Sequence, residues 1–461
     1  MLNSETVLEF EMNYKLENRI LHKFTSIELE NKYESRQTDP KCYQMIENLH
    51  NNNKTKYECE EIISLLCILY YTSKEEDIIK YFDETVCKMI VQLLDKTDNI
   101  EQIRSLFNLI YDLDQYDNYV MYFSDYCAIE VILKKYRMNT SCLFLYTSRV
   151  LSSMLKDNCL QNIAYIMDNF FPSIINYCYN HSDQQSQEVS LIFIYSCIND
   201  VNYLSCCYIN QILEVLSFFW HDKTIDSHLF VLSLWCFYTI FEAYPSLFIQ
   251  QKFMNLIDFM IDKLMSKWSN IDDDERMDPR TIIICCLSLF LKDNNPNLSY
   301  ILEKLPYNYM LDMLKKQYEY LKYYLCYLFS CILKLDNNEL KLILIKDYNL
   351  LNVMNFIIDD CSYRVKLKLI NCFWKLILSN SPEVIFYTMN NNIFINVISY
   401  MIESSTEEKQ KEHISQKLKY AFNILQNSPD LFQKTISNLQ NIKNTYFYNS
   451  IEIFKEIFKC N

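Results

Sequence analysis

Residues 368–401 read KLINCFWKLILSNSPEVIFYTMNNNIFINVISYM, and the order of pieces in this stretch decides the fold. An apolar run of helical length is followed by a polar break, a second apolar segment, three asparagines and a third apolar run. Within the first run, Leu369, Phe373 and Leu376 recur at three- and four-residue steps, which is the period of an amphipathic helix. The stretch therefore predicts helices joined by short polar turns.

The composition favours a folded, all-α chain and excludes several kinds of site. Half of the 461 residues are hydrophobic, and short Asn, Asp and Ser breaks separate the apolar runs. Glycine is absent. Phosphate-binding loops, dinucleotide fingerprints, EF-hand loops and nucleophile elbows all need glycine, so none of them is expected in its standard form. The net charge of −14 disfavours a general nucleic-acid or anionic-membrane binder and is compatible with a basic protein partner.

The same succession of apolar helical runs and polar breaks recurs along the chain. The cores of nine strongly apolar helical runs align on nine anchor residues, which follow one another at intervals of 41 to 51 residues. A period of about 42 residues falls in the range of armadillo and HEAT repeats, whereas tetratricopeptide and ankyrin repeats are too short. The anchor residues are Ile68, Leu109, Val150, Ile194, Cys236, Leu287, Leu328, Phe373 and Ala421.

A polar residue follows several of these helices at the point where the chain should turn. A sharp turn between helices favours a residue with a left-handed backbone, and Asn or Asp is the next choice after Gly. We therefore predict that these polar residues take the place of glycine at the turns. The predicted turn residues are Asp83, Asp125, Asn169, Asn349 and Asn392.

A long helix, a polar turn and an apolar segment such as NNIFINVISYM resemble the armadillo repeat. The layout of YQMIENLHNNNKTKYECEEIISLLCILYYTSKEEDIIKYFDETVCKMIVQLL resembles the opening repeats of importin-α, and KLKYAFNIL is similar to part of its last repeats. The resemblance implies an all-α, right-handed solenoid of nine to ten repeats. It divides the chain into an arm or capping helix at 1–40, a solenoid at 41–435 with an acidic loop insertion at 269–279, and a C-terminal capping helix at 436–461.

The resemblance also implies a function, namely an adaptor that binds basic nuclear-import cargo in a groove lined by the long helices. In the importin-α family, Trp residues with an Asn one turn later hold the peptide backbone. Here Trp235 is followed one turn later by Thr239, and Trp374 by Leu378. A position in the core for the tryptophans and on the surface for the arginines is the structural alternative. The candidate groove residues are Trp235, Thr239, Trp374, Arg104 and Arg149.

Other functions remain open at this point. A generic armadillo or HEAT assembly scaffold is the alternative adaptor, and an enzyme is the rival class. No catalytic group, metal site or cofactor is expected, because no local Cys/His or Ser/His grouping is present. We expect protein or extended basic peptide partners and transport factors, without nucleic acid or membrane. The 19 scattered cysteines, the acidic N-terminus and the short apolar stretches at 229–241 and 282–291 predict a soluble cytoplasmic or nuclear protein.

Overall fold

The computed structural model shows an all-helical protein. It has 23 α-helices and no strand in the part of the chain that it describes. The predicted arm at 1–40 lies outside the described residues, as do most of the predicted loop insertion at 269–279 and most of the predicted cap at 436–461. The described residues are 59–72, 75–114, 116, 119, 122–123, 127–155, 160–180, 183–199, 206–221, 227–244, 254–266, 278–291, 295, 297–404 and 408–441.

The chain divides into two compact units, Met1–Ile240 and Phe241–Asn461. The helices of the first unit are α1 (Cys59–Thr72), α2 (Glu75–Tyr81), α3 (Glu84–Lys96), α4 (Ile100–Leu113), α5 (Ala128–Met138), α6 (Thr140–Met154), α7 (Leu160–Asn169), α8 (Phe171–Asn180), α9 (Gln184–Asn199), α10 (Cys206–His221) and α11 (Ser227–Ala243), of which the last ends just past the boundary.

The second unit is built in the same way. Its helices are α12 (Met254–Met265), α13 (Pro279–Phe290), α14 (Leu298–Lys304), α15 (Tyr307–Lys316), α16 (Glu319–Lys334), α17 (Asn338–Lys346), α18 (Leu350–Ile357), α19 (Tyr363–Ile377), α20 (Pro382–Met389), α21 (Asn392–Ser404), α22 (Glu408–Leu425) and α23 (Pro429–Asn441).

Long helices form a continuous row in each unit. In the first unit α1 packs against α4, α4 against α6, and α6 against α9. In the second unit α13, α16, α19 and α22 pack in the same successive manner. Two further rows accompany the long helices there, one made of α15, α18 and α21 and the other of α17, α20 and α23. The second unit is therefore a stack of three-helix groups.

The nine predicted anchor residues all lie in long helices, one in each of α1, α4, α6, α9, α11, α13, α16, α19 and α22. Eight of them are buried, and Ile68 is half-buried. Because a helix of one group meets its equivalent in the next group, the anchor side chains fill the contact between them. The helical period in the sequence therefore correctly located the long helices and their inward faces.

The prediction of left-handed turns was right at Asn349 and wrong at three other positions. Asn349 has φ 55° and precedes α18. Asp83 has an extended backbone with φ −79°, because its carboxylate accepts a hydrogen bond from the backbone N–H of Val86 and so caps α3. Asn169 is the last residue of α7, and Asn392 is the first residue of α21.

Asp125 lies outside the described residues, and the left-handed residue in its neighbourhood is Cys127, with φ 54°. Cys127 and Asn349 are the only residues with positive φ in the described part of the chain. Each immediately precedes a helix, α5 or α18. A cysteine at such a position is unexpected, because its Cβ is strained there in a way that glycine is not.

In the turn at 390–392, Asn390 and Asn391 cap the helices on either side. The Asn390 amide donates to the backbone carbonyl of Phe386 at 2.7 Å and so closes the end of α20, while its oxygen accepts from Asn438 at 2.6 Å. The Asn391 oxygen accepts from the backbone N–H of Ile393 at 3.1 Å and opens α21. Side-chain capping therefore makes the turn here without a left-handed residue.

Amide pairs also join neighbouring three-helix groups. Asn391 donates to the side chain of Asn352 at 3.0 Å, and Asn396 donates to that of Asn355 at 2.8 Å. Asn352 and Asn355 lie on α18, Asn396 lies on α21, the equivalent helix of the next group, and Asn391 immediately precedes α21. The asparagines that are abundant in the sequence thus contribute to the stacking.

We predict opposite effects of glycine and valine at the left-handed positions. Asn349→Gly and Cys127→Gly should stabilise the protein slightly, because glycine has no Cβ penalty at positive φ. Asn349→Val should destabilise it by about 1–2 kcal/mol, because a β-branched residue is strained there. Thermal unfolding measures both effects, with Asn392→Gly as the control that gains nothing. Equal midpoints for the two Asn349 variants would contradict the left-handed turn.

Candidate functional site

A row of polar side chains crosses five successive long helices of the first unit. This polar row consists of Tyr71 on α1, Asp112 on α4, Arg149 on α6, Glu188 on α9 and His228 on α11. The Tyr71 hydroxyl donates to Asp112 Oδ2 at 2.5 Å, and His228 Nε2 lies 2.6 Å from Glu188 Oε1. Both carboxylates are buried. The polar row therefore links the long helices to one another through side chains.

Arg149 is the centre of the polar row. Burial lowers the pKa of its guanidinium, and the neighbouring Tyr111, Tyr146, Asp112 and Glu188 oppose that change. The two acids thus compensate the charge of a half-buried arginine, which is the condition under which a charge is tolerated inside a protein. The polar row positions the long helices, and its two carboxylates are already engaged within the protein.

Arg104 on α4 contacts a tyrosine of the neighbouring long helix α6. Its guanidinium stands over the Tyr146 ring at 5.4 Å from the centroid, and Nη1 lies 2.7 Å from Glu101 Oε1. Nη2 donates to the backbone carbonyl of Cys142 at 3.4 Å. Arg104 thus contacts the ring of Tyr146, a tyrosine that also acts electrostatically on Arg149.

Trp235 and Thr239 occupy the long helix α11. Trp235 is buried, and its ring packs edge-on against Tyr238 at 5.7 Å between centroids. The Thr239 hydroxyl donates to the backbone carbonyl of Trp235 at 3.0 Å, so its hydrogen is used within the helix. The structure places these two residues together, with the tryptophan in the core of the first unit.

Lysines and aromatic rings alternate across the long helices of the second unit. Lys368 Nζ on α19 stands 5.1 Å from the ring centroid of Tyr323 and 5.0 Å from that of Tyr327, both on α16. Lys417 Nζ on α22 stands 4.7 Å from the ring centroid of Trp374 on α19. Each such cation–π contact stabilises by about 0.5–1 kcal/mol when exposed. We call these five residues the lysine–aromatic row.

Trp374 was the only member of the lysine–aromatic row predicted from the sequence. The signal for two others was present in the anchors, because Tyr323 and Lys368 each stand five residues before their anchors, Leu328 and Phe373. Residues at equal offsets in equivalent helices face the same side of the stack. Comparing the offsets would have placed Tyr323 beside Lys368.

The charge of the protein is divided unequally between the two units. Residues 1–240 contain 19 Lys+Arg and 33 Asp+Glu, whereas residues 241–461 contain 25 of each kind. The whole net charge of −14 therefore belongs to the first unit. An acidic unit attracts positively charged partners and repels polyanions.

No metal centre was found among the described residues, since no three His, Cys, Asp or Glu side chains are grouped to hold an ion. Over the same residues, no helix combines the length and the apolar character that a membrane span requires. His228, a member of the polar row, lies beside the carboxylate of Glu188.

Neither a protein-family model nor a curated protein matches this chain. Solved structures do match it. One is the crystal structure of an engineered protein from the Northeast Structural Genomics Consortium, with a TM-score of 0.63 and 12% identity. The alignment covers 91% of this chain and 98% of the other. The similarity is one of fold. At this identity the comparison shows that the helical arrangement exists in a known protein and carries nothing about function.

We predict that the polar row contributes to stability through its charges. Glu188→Gln keeps the shape of the side chain but removes one of the two carboxylate charges near Arg149 and the carboxylate beside His228, and should lower the free energy of unfolding by about 1–3 kcal/mol. Gln185→Ala, at an exposed position of the same helix, should change it by less than about 0.5 kcal/mol. Urea unfolding followed by circular dichroism compares them. Indistinguishable curves for the two variants would show that the polar row adds nothing measurable.

Proposed function

We propose that this protein is a non-enzymatic adaptor that binds an extended basic segment of a protein partner on the long helices of its first unit. The concentration of the entire net charge in residues 1–240 is the observation that carries the proposal. Because the carboxylates of the polar row are engaged internally, the partner would meet the carboxylates that remain at the surface.

Exposed acids stand at the beginnings of several long helices of this unit. Glu60 and Glu61 lie in the first turn of α1, and Glu101 lies in the first turn of α4, where it also pairs with Arg104. Asp183 immediately precedes α9 and accepts a hydrogen bond from the backbone N–H of Ser186. Acids are stabilised at helix N-termini by the helix dipole, so this distribution follows from the fold. It would present a series of carboxylates to Lys and Arg side chains.

We further assign the repeats to the armadillo class, as a right-handed superhelix of nine to ten repeats. Three observations support this assignment: the period of about 42 residues, the three rows of helices in the second unit, and the left-handed turn at Asn349. An importin-α-like receptor for basic nuclear-import cargo, acting in the cytoplasm and nucleus, is the specific form of adaptor that we propose.

The proposal predicts salt-sensitive binding of a basic peptide. A fluorescent Lys/Arg-rich nuclear-signal peptide should bind the full chain at low salt and weaken steeply as salt is added, because exposed charges are screened over about 8 Å at physiological ionic strength. A control peptide with every Lys and Arg replaced by Gln should not bind. Fluorescence anisotropy measures both.

Charge-reversal variants test the location of this binding. The triple variant Glu60→Lys, Glu61→Lys and Glu101→Lys should weaken binding of the basic peptide by about tenfold or more, since each exposed ion pair is worth about 0.2–1 kcal/mol. The matched control reverses three exposed acids of the second unit, Glu303→Lys, Glu339→Lys and Glu412→Lys, and should leave binding nearly unchanged. If the basic peptide fails to bind even at low salt, the basic-cargo function is wrong.

A further inference from the structure

An exposed pair of aromatic rings joins α8 and α10 in the first unit. Tyr179 on α8 is 42% exposed, and Phe218 on α10 is 37% exposed. Their ring centroids lie 5.6 Å apart, with an angle of 76° between the ring planes. The two rings therefore form a corner at the surface, which we call the aromatic corner.

The packing of the two helices holds the aromatic corner in place. α8 packs against α10, and near the beginnings of both helices Phe171 meets Tyr208 edge-on at 5.5 Å between centroids. At the other end, Phe218 also packs edge-on against Phe219, which is fully buried. Because the helices are in contact at both ends, the fold fixes the angle between the two exposed rings. A site that is rigid before binding loses less entropy when a partner arrives.

One carboxylate borders the aromatic corner. Glu214 is exposed and lies four residues before Phe218 in α10, so the two side chains share one face of the helix. Burial raises the pKa of Tyr179, and the charge of Glu214 raises it further, in accord with this placement. Within the described residues, the Glu214 carboxylate has no ion pair and no hydrogen bond. Its charge is thus available to a partner.

No cation of the chain covers the aromatic corner in the part that the structure describes. α8 and α10 contain no Lys or Arg, and no ammonium or guanidinium group of a described residue stands over either ring. Other exposed rings do carry such a group. Lys346 Nζ, for example, stands 4.5 Å from the ring centroid of Tyr387. The face of an aromatic ring attracts cations through its quadrupole, so the aromatic corner offers a place for a cation from outside.

We infer that the aromatic corner and Glu214 bind one cationic side chain, a Lys or Arg of the basic partner segment. A cation that rests against the rings and reaches the carboxylate gains both the quadrupole attraction and an ion pair. The aliphatic stem of the same side chain covers the apolar rings. The inference deepens the proposed adaptor function and rests on it, because it gives the basic partner an anchor outside the row of long helices.

Charge complementarity favours this occupant over an apolar segment or a second copy of the chain. Glu214 is the only Asp, Glu, Lys or Arg in α8 and α10, and an apolar occupant would bury its carboxylate without a partner, which is costly. A second copy would bring two acidic units together, each with 33 acids against 19 bases, and like charges repel. A cationic side chain has neither disadvantage.

The test titrates the full chain with the fluorescent Lys/Arg-rich nuclear-signal peptide at low salt. Phe218→Leu keeps an apolar side chain but removes the ring, and should weaken binding by about two- to fivefold, the equivalent of one exposed cation–π contact. Phe218→Trp supplies the ring that attracts cations best and should bind at least as tightly as the unmodified protein. The matched control is Tyr165→Leu, which removes an exposed tyrosine of α7 in the same unit and should change nothing.

Two further measurements separate the cation site from a general effect on the fold. Glu214→Gln combined with Phe218→Leu should weaken binding by about tenfold, since an ion pair is then lost as well. Thermal unfolding midpoints equal to that of the unmodified protein show that the variants are folded. A peptide with a photoreactive diazirine on one lysine should crosslink to α8 or α10, as located by mass spectrometry in the unmodified protein.

The outcomes distinguish this inference from the function on which it rests. Equal binding by Phe218→Leu and Tyr165→Leu, or crosslinks that spare α8 and α10, overturns the cation site while the adaptor function stands. Weaker binding by Phe218→Trp than by Phe218→Leu also overturns it, because a cation prefers the larger ring. If the control peptide with Gln in place of Lys and Arg binds as well as the basic one, the occupant is not a cation. If no peptide binds at low salt, both proposals are wrong.

Discussion

The burial of apolar faces between successive long helices is the interaction on which both units depend. A single three-helix group cannot cover its own apolar side chains, so each long helix needs the equivalent helix before or after it. Phe373 and Leu328, on α19 and α16, are fully buried in such a stack. The polar row and the lysine–aromatic row both connect equivalent helices. Their geometry exists only because the apolar contacts set the spacing and register of those helices.

Much of this stacking was predictable from the sequence, whereas the details of the turns were not. Periodic apolar positions such as Leu369 and Phe373 report directly on a buried helix face. At a turn, several local solutions have similar free energies. Asp83 caps α3 with its carboxylate, Asn349 adopts the left-handed backbone, and Asn390 bonds to the end of its own helix. The residue type alone does not choose among them, because the choice depends on how the neighbouring helices meet.

The candidate sites also could be predicted only in part from the sequence. Trp235 and Trp374 attract notice in a sequence, and the structure buries both. Lys368 and Lys417 look like ordinary surface lysines until the helices beside them are known, and only then do their aromatic partners appear. The unequal division of charge likewise becomes visible only when the acids and bases are counted on either side of the boundary between the units. The pattern of a sequence does not show which distant segments pack against one another.

The regular distance between contacting residues has a consequence for how the chain comes to fold. Tyr71 bonds to Asp112 across 41 positions, Glu188 to His228 across 40, and Asn391 to Asn352 across 39. A repeat can therefore dock as soon as its immediate predecessor is present, without waiting for the far end of the chain. During synthesis on the ribosome, each repeat can therefore fold soon after it is made, beginning with the N-terminal repeats. At each stage of synthesis only the last folded repeat exposes its apolar face. This limits the apolar surface through which the unfinished chain could aggregate.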